Sequence, residues 1–169
     1  MIRPPAFMTP EQLWRLSSYL HHRGMRRPGR YVKRISSLIY HHSLAPNVIV
    51  PPDIRFGHSC FGTVIHSNVT IGRDVRIGHH VTIAVHAATG ANEGIVIEDG
   101  VRIGAHAIVL APEGRSLRIG AGARVGAGAL VVHDVPPGAT VVSEPSRVRL
   151  AGETAEAQES VEGPGAAGL

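Results

Sequence analysis

A period of six residues dominates the middle of this chain. From Ile65 the sequence reads IHSNVT, IGRDVR, IGHHVT and IAVHAA. It resumes with IEDGVR at Ile97, IGAHAI at Ile103 and VLAPEG at Val109, then returns with IGAGAR at Ile119, VGAGAL at Val125 and VVHDVP at Val131. Each hexad opens on an aliphatic residue, usually followed by glycine, and most carry Val or Ala four places on. Weaker hexads begin upstream at Leu44, Val50 and Phe56. An α-helix cannot use this period, because six residues turn a helix by about 600° and leave successive aliphatic residues about 120° apart, with no continuous stripe. Second-position glycines and frequent β-branched residues disfavour helix further. The period suits a solenoid of short flat strands, aliphatic residues inward and small residues at the corners. No coil buries its own apolar side, so stacking supplies the core.

The 169 residues are enough for one modest domain. No apolar run is long enough to span a bilayer, and the N-terminus lacks a signal-peptide pattern, so the chain reads as soluble and cytoplasmic. With Cys60 as its single cysteine, it has no intrachain disulfide and no cysteine-built zinc site. The net charge of +4 is uneven: residues 1–42 hold eight Arg and Lys against Glu11, whereas the tail from Ala151 holds Glu153, Glu156, Glu159 and Glu162 with no basic residue. The Leu, Ile, Trp and Tyr interleaved in the basic arm fit packed amphipathic helices, so nucleic acid is not expected as a partner. Contact with an anionic membrane surface stays open. The acidic, Gly-rich tail is expected to be disordered. Three segments follow: a helical preface over 1–43, the solenoid over 44–150, and the tail over 151–169.

Thr9-Pro10-Glu11-Gln12 is a helix start, with Thr9 as N-cap, Pro10 in the first turn and Gln12 closing a capping box. Leu13, Leu16 and Leu20 then share one face, and Gly24 ends the segment. A second helix is expected from about Arg30 to His42, with Val32, Ile35, Leu38 and Ile39 inward.

Breaks in the register point to a site, because a regular solenoid has no structural need to interrupt itself. Phe56 to Ile65 is nine residues, one hexad plus three, and contains Gly57-His58-Ser59-Cys60-Phe61-Gly62. Ile83 to Ile97 is fourteen, read as two hexads plus two, and holds VHAATGANEG. Val109 to Ile119 is ten, one hexad plus four. The first two breaks are expected to approach one another on neighbouring coils or neighbouring subunits. A histidine in such a break suits a general base, since its ordinary pKa of about 6.5 leaves it largely neutral at pH 7.

The hexads over residues 44–149 resemble the left-handed parallel β-helix of the hexapeptide-repeat acyltransferases, in which three hexads make one triangular coil. The ending VVHDVPPGATVVSEPSRV resembles that family's terminal segment. The stretch RFGHSCFGTVIHSNVTIG resembles the active-site segment of serine acetyltransferase-like enzymes, and its Arg55–His58 and Gly62–Ile65 parts match the sugar-acyltransferase branch best. The resemblance implies an all-β solenoid that uses acetyl-CoA as co-substrate. His58 would be general base for direct transfer, without an acyl-enzyme, to a hydroxyl of serine or a sugar-like compound. It also implies a homotrimer with active sites between subunits. Coenzyme A would meet Ala84, Ala105, Ala127 and Arg147, and the acceptor would meet His86, Asn92 and Glu93.

The chain also departs from that pattern. Gly57 stands where serine acetyltransferases place an aspartate, Ser43 falls near a second one, and VHAATGANEG replaces a longer loop ending in Arg-His-Pro. Asp53 or a residue of another chain is left as the carboxylate partner of His58. His21, His22, His41 and His42 are expected to face solvent or an interface, and His66, His79, His80, His106 and His133 occupy outward hexad positions. Two other functions share this solenoid: a non-catalytic assembly or binding module, and a zinc hydratase like the gamma-class carbonic anhydrases. The separation of His79 or His80 from His86 does not reproduce the hydratase spacing, so no metal is expected. Cys60 reads as a small buried apolar residue rather than a nucleophile.

Overall fold

The computed structural model describes residues 8–85 and 94–143. His86, Asn92 and Glu93 of the second break, Arg147 and the acidic tail lie outside the described residues.

The hexads build a parallel β-helix of triangular cross-section. Ile65, Ile71, Ile77 and Ile83 are each six residues apart; they fall on three successive faces and then return to the first, so three hexads make one coil. One face stacks Ser43–Leu44, Val64–Ile65, Thr82–Val85, Ile108–Ala111 and Leu130–Val131 in parallel register. Its outward residues include Val64, Ile108 and Leu130, all exposed, and we call it the apolar face. The arginine face stacks Arg55–Phe56, Arg76–Ile77, Arg102–Ile103, Arg124–Val125 and Thr140–Val141. The third face holds Val69–Ile71, Ile95–Ile97 and Leu117–Ile119. First and fifth hexad positions point inward and are buried from coil to coil, as in Ile77, Val81, Ile103, Ala107 and Val125.

The corners explain the remaining hexad positions. Fourth positions are left-handed: Asp74, His80 and His106 have φ of 48°, 53° and 59°, and Gly100, Gly122 and Gly128 occupy equivalent places. Asp, His and Gly at this position are residues that tolerate or favour that conformation. Second-position glycine answers a different constraint. A Cβ on Gly104 would lie 2.5 Å from the Ala127 nitrogen of the next coil.

Pairing places the breaks. The first and third have the lengths counted from sequence, but the second is corrected. Ile97 pairs with Ile71 on the face next to that of Ile83, so the fourteen-residue interval is one hexad plus eight extra residues, 86–93. The aliphatic spacing could not separate a second hexad from an insertion of similar length. The first break lies at the corner between the arginine and apolar faces; the flanks of the second lie at the opposite edge of the apolar face. Within one chain a whole face separates the first break from the flanks of the second.

Two helices cover the first coil. Helix α1, Pro10–His22, carries the predicted capping box, with Thr9 and Gln12 exchanging backbone-to-side-chain bonds of 2.9 and 3.4 Å. It is tied to the solenoid by Trp14 Nε1 donating to Ala45 O at 2.8 Å and Ser18 Oγ donating to Val48 O at 2.6 Å. Helix α2 runs Arg26–Tyr40, starting earlier than expected. Its inward face is also corrected: Gly29 and Ser36 are buried, whereas Ile35, Leu38 and Ile39 are exposed and Val32 is half-buried. The seam is too close for bulk, since a Cβ on Gly29 would stand 3.0 Å from Ser17 O, and Ser17 Oγ donates to Gly29 O across it. None of the described helices is long and apolar enough to cross a membrane.

His42 is not at the solvent as expected but buried, with Nε2 2.8 Å from Ser36 Oγ and its ring stacked on Tyr40. Burial, aided by the Lys33 charge and opposed by a backbone hydrogen bond, lowers its pKa from 6.5 to about 4. The folded chain therefore holds His42 neutral where the unfolded chain protonates it. Its contribution to stability is whole above about pH 6.5 and is lost as pH falls toward 4. Thermal melting between pH 7.5 and 4.5 is expected to show a smaller acid loss in His42→Gln than in the natural chain. Equal losses would show that His42 does not carry this dependence.

Candidate active site

The first break turns a corner by an unusual route. Gly57–Cys60 forms one tight turn in which His58 (φ 48°, ψ 44°), Ser59 (φ 55°, ψ 31°) and Cys60 (φ 51°) are all left-handed. Non-glycine residues in this region cost on the order of 1–3 kcal/mol each and persist only where surroundings over-determine them. Here Cys60 is wholly buried in the core, Gly62 N donates to His41 O at 2.9 Å, and Thr63 N donates to Cys60 O at 3.0 Å. On the strand before the turn, Phe56 N donates to Glu11 Oε1 of α1 at 3.1 Å. The turn is pinned on both sides, and its exposed members are His58 and Ser59.

The register of the arginine face extends into this corner. Counting on from Arg55, Arg76, Arg102 and Arg124 sets Gly57, Gly78, Gly104 and Gly126 in one line and His58, His79, Ala105 and Ala127 in the next. The ridge therefore starts with two histidines and continues with two alanines. His79, expected outward and solvated, is half-buried. Its ring meets His58 edge-on, with centroids 4.7 Å apart and planes at 80°. His106 packs against His79 at 5.2 Å and stacks on His80 at 4.9 Å. Burial, then the neighbouring His58, His106 and His80, lowers the pKa of His79. Its Nδ1 is buried with no hydrogen-bond partner.

The carboxylate expected beside the base is not supplied by Asp53. That residue sits at another corner, where its Oδ2 accepts from Arg73 Nε at 3.4 Å. Among the described residues no carboxylate bonds to His58, and no three His, Cys, Asp or Glu side chains are placed to hold one metal ion. Ala105 and Ala127 lie on the ridge with His58, whereas Ala84 is on the apolar face in register with Leu110. Arg147, His86, Asn92 and Glu93 are outside the described residues. Sequence reading missed His79 and the four stacked arginines. The arginine signal was present, since Arg76, Arg102 and Arg124 each close a hexad and Arg55 precedes Phe56.

The sequence matches no family model. It is 34% identical to a serine acetyltransferase of Mycobacterium tuberculosis over 134 residues, 79% of this chain and 56% of the relative. Its fold superposes on the soybean serine acetyltransferase complexed with serine with a TM-score of 0.72 and 33% identity, covering 82% of this chain and 55% of that one. The serine acetyltransferase of Brucella abortus in complex with coenzyme A gives a TM-score of 0.72 at 25% identity, covering 86% and 61%. The chain belongs to the hexapeptide-repeat, left-handed β-helix superfamily and is serine acetyltransferase-like. It spans little more than half the length of the M. tuberculosis relative, and what matches is the solenoid with its short helical preface.

Within this serine acetyltransferase-like site Cys60 is excluded as nucleophile. Its thiol is buried, and burial, followed by the Glu11 charge, pushes its pKa up to about 12. The thiolate that a nucleophile needs is therefore suppressed. An aromatic disulfide reagent is expected to modify Cys60 only after denaturation; full labelling of the native protein within seconds would show the turn to be open.

Proposed function

We propose that this chain transfers an acetyl group from acetyl-CoA to a hydroxyl of serine or a sugar-like compound, with His58 as general base. The observation that carries the reading is the ridge on which His58 leads to Ala105 and Ala127 in a serine acetyltransferase-like solenoid. The extended arm of coenzyme A lies along the small residues of the ridge, with its thioester at His58. The neutral imidazole takes the proton of the acceptor hydroxyl as its oxygen attacks the thioester carbonyl. The tetrahedral intermediate collapses with cleavage of the carbon–sulfur bond, and the imidazolium returns its proton to the departing thiolate. Transfer is direct, so no residue is acylated. Arg147 and the second-break residues His86, Asn92 and Glu93 keep their proposed roles toward the nucleotide and the acceptor. A cytoplasmic location belongs to the same reading.

His79 takes the part of orienting neighbour that a carboxylate plays elsewhere. Packed edge-on against His58, it fixes the ring. His58→Ala is expected to lower acetyl-CoA-dependent thiol release by about 10²–10⁴-fold while coenzyme A binding is retained. Near-normal turnover would remove His58 from the role. Failure to bind coenzyme A in the natural chain would favour the assembly module, the reading that the missing carboxylate supports.

The apolar face supports a homotrimer. Val64, Ile108 and Leu130 stand outward in register with Thr82 and are 39%, 42% and 60% exposed. A largely apolar ladder of this kind, interrupted by Thr82, fits an interface better than solvent. It also borders the corner of His58, which fits a site at the junction of two subunits. Sedimentation is expected to give a trimer for the natural chain and smaller species for Leu130→Glu. A monomeric natural chain at micromolar concentration would overturn the assembly.

A further inference from the structure

Four arginines are stacked on the arginine face with almost nothing to neutralise them. Arg55, Arg76, Arg102 and Arg124 are direct partners in successive rungs, and all four are exposed. Rungs are about 4.8 Å apart, and like charges directly opposite one another destabilise a sheet. The chain repeats this unfavourable pairing three times. Among the described residues the one ion pair made by any of them is Arg76 Nη2 to Asp74 Oδ1, at a long 3.9 Å. Other solenoid arginines are treated differently. Arg118 has Glu98 at 2.9 Å, and Arg73 has Asp53 at 3.4 Å. The fold thus supplies closer carboxylates to arginines elsewhere and withholds them along this face.

The ladder also borders an open groove along the arginine face, which ends beside Gly57, the chain neighbour of His58. Gly57, Gly78, Gly104 and Gly126 line the groove in register, between the arginines and the histidine–alanine ridge. Arg55 is three residues before His58, and Arg76 is three before His79, so the lower half of the ladder flanks the paired imidazoles. A guanidinium presents a planar fork that binds carboxylate or phosphate through two parallel hydrogen bonds.

We propose that Arg55 and Arg76 are specificity-determining residues that select an acceptor bearing a carboxylate or phosphate and hold it with its hydroxyl at His58. This rests on the acetyl-transfer reading. With the thioester at His58, the phosphates of coenzyme A lie at the far end of its neutral arm, several rungs away. Of the four arginines, Arg124 and then Arg102 would lie nearest those phosphates, and Arg55 and Arg76 farthest from them. The ligand that remains within reach of Arg55 and Arg76 is the acceptor.

Calorimetric titration with inorganic pyrophosphate at low ionic strength, on protein already saturated with coenzyme A so that Arg102 and Arg124 are occupied, tests the anion site without turnover. Circular dichroism and melting would confirm that each variant is folded. Arg55→Gln combined with Arg76→Gln is expected to weaken pyrophosphate binding at least ten-fold and to leave most of the affinity for coenzyme A. Arg102→Gln combined with Arg124→Gln is expected to weaken coenzyme A instead. In thiol-release assays the natural chain is expected to prefer serine to serinamide, or glucosamine 6-phosphate to glucosamine. The lower pair of substitutions is expected to raise KM for the charged member at least ten-fold, with a much smaller fall in kcat. Pyrophosphate bound equally by the natural chain and the lower-pair variant would overturn the proposal. So would loss of coenzyme A binding in that variant with acceptor preference intact, which would assign the arginines to the cofactor. If no acceptor turns over while pyrophosphate binding still depends on Arg55 and Arg76, the anion site stands and the acetyl-transfer reading fails.

Discussion

Stacking of one coil's inward aliphatic residues on those of the next is the interaction on which the rest of this molecule depends. A two-residue strand such as Arg76–Ile77 has too few hydrogen bonds and too little apolar area to hold itself together. Its Ile77 becomes buried only because Phe56 lies below it and Ile103 above it. That dependence imposes register: a slip of one residue would turn Arg76 inward and Ile77 outward. Register in turn imposes the corners, where coils approach so closely that Gly104 has no room for a Cβ. Left-handed fourth positions such as His80 and His106 follow from the same need to turn.

Once register is set, positions separated in sequence become ladders in space. The solenoid carries three of them side by side: the outward apolar residues of one face, the arginines of the next, and the histidine–alanine ridge on the corner between. Each has a separate physical use. The apolar ladder would exclude water at an interface, the arginine ladder carries positive charge, and the ridge presents two histidines at one end and two alanines at the other. A single-residue insertion in any coil would misalign all three, and the breaks fall at corners, where extra chain leaves the faces intact.

The helical preface supports the turn of His58 from behind. Glu11 holds Phe56, His41 holds Gly62, and between them the chain passes through three left-handed residues to plug the core with Cys60. The same segment keeps His42 buried and neutral, so the stability of this support is coupled to pH. The preface packs through Gly29 and Ser36 rather than through its large residues, which leaves Ile35, Leu38 and Ile39 on the outer side of α2.

The sequence by itself determined the solenoid, the capping box and the position of His58 in a break. A period of six survives any arrangement of neighbours, and Thr9 and Gln12 satisfy their bonds within one turn. Tertiary structure decided which face each residue shares and with whom. Residues 83–97 read equally well as two hexads until pairing with Val69–Ile71 showed eight residues to be extra. The outward face of α2 followed from a helix crossing too close for isoleucine, a distance that hydrophobic periodicity does not encode. His79 looked like one surface histidine among several, and Asp53 like a partner for the base, because contacts across coils depend on the residues per turn and on the corner each residue occupies. The arginine ladder shows the division most clearly. Each arginine was visible in its own hexad, but their alignment beside the base exists only when coils of unequal length are stacked.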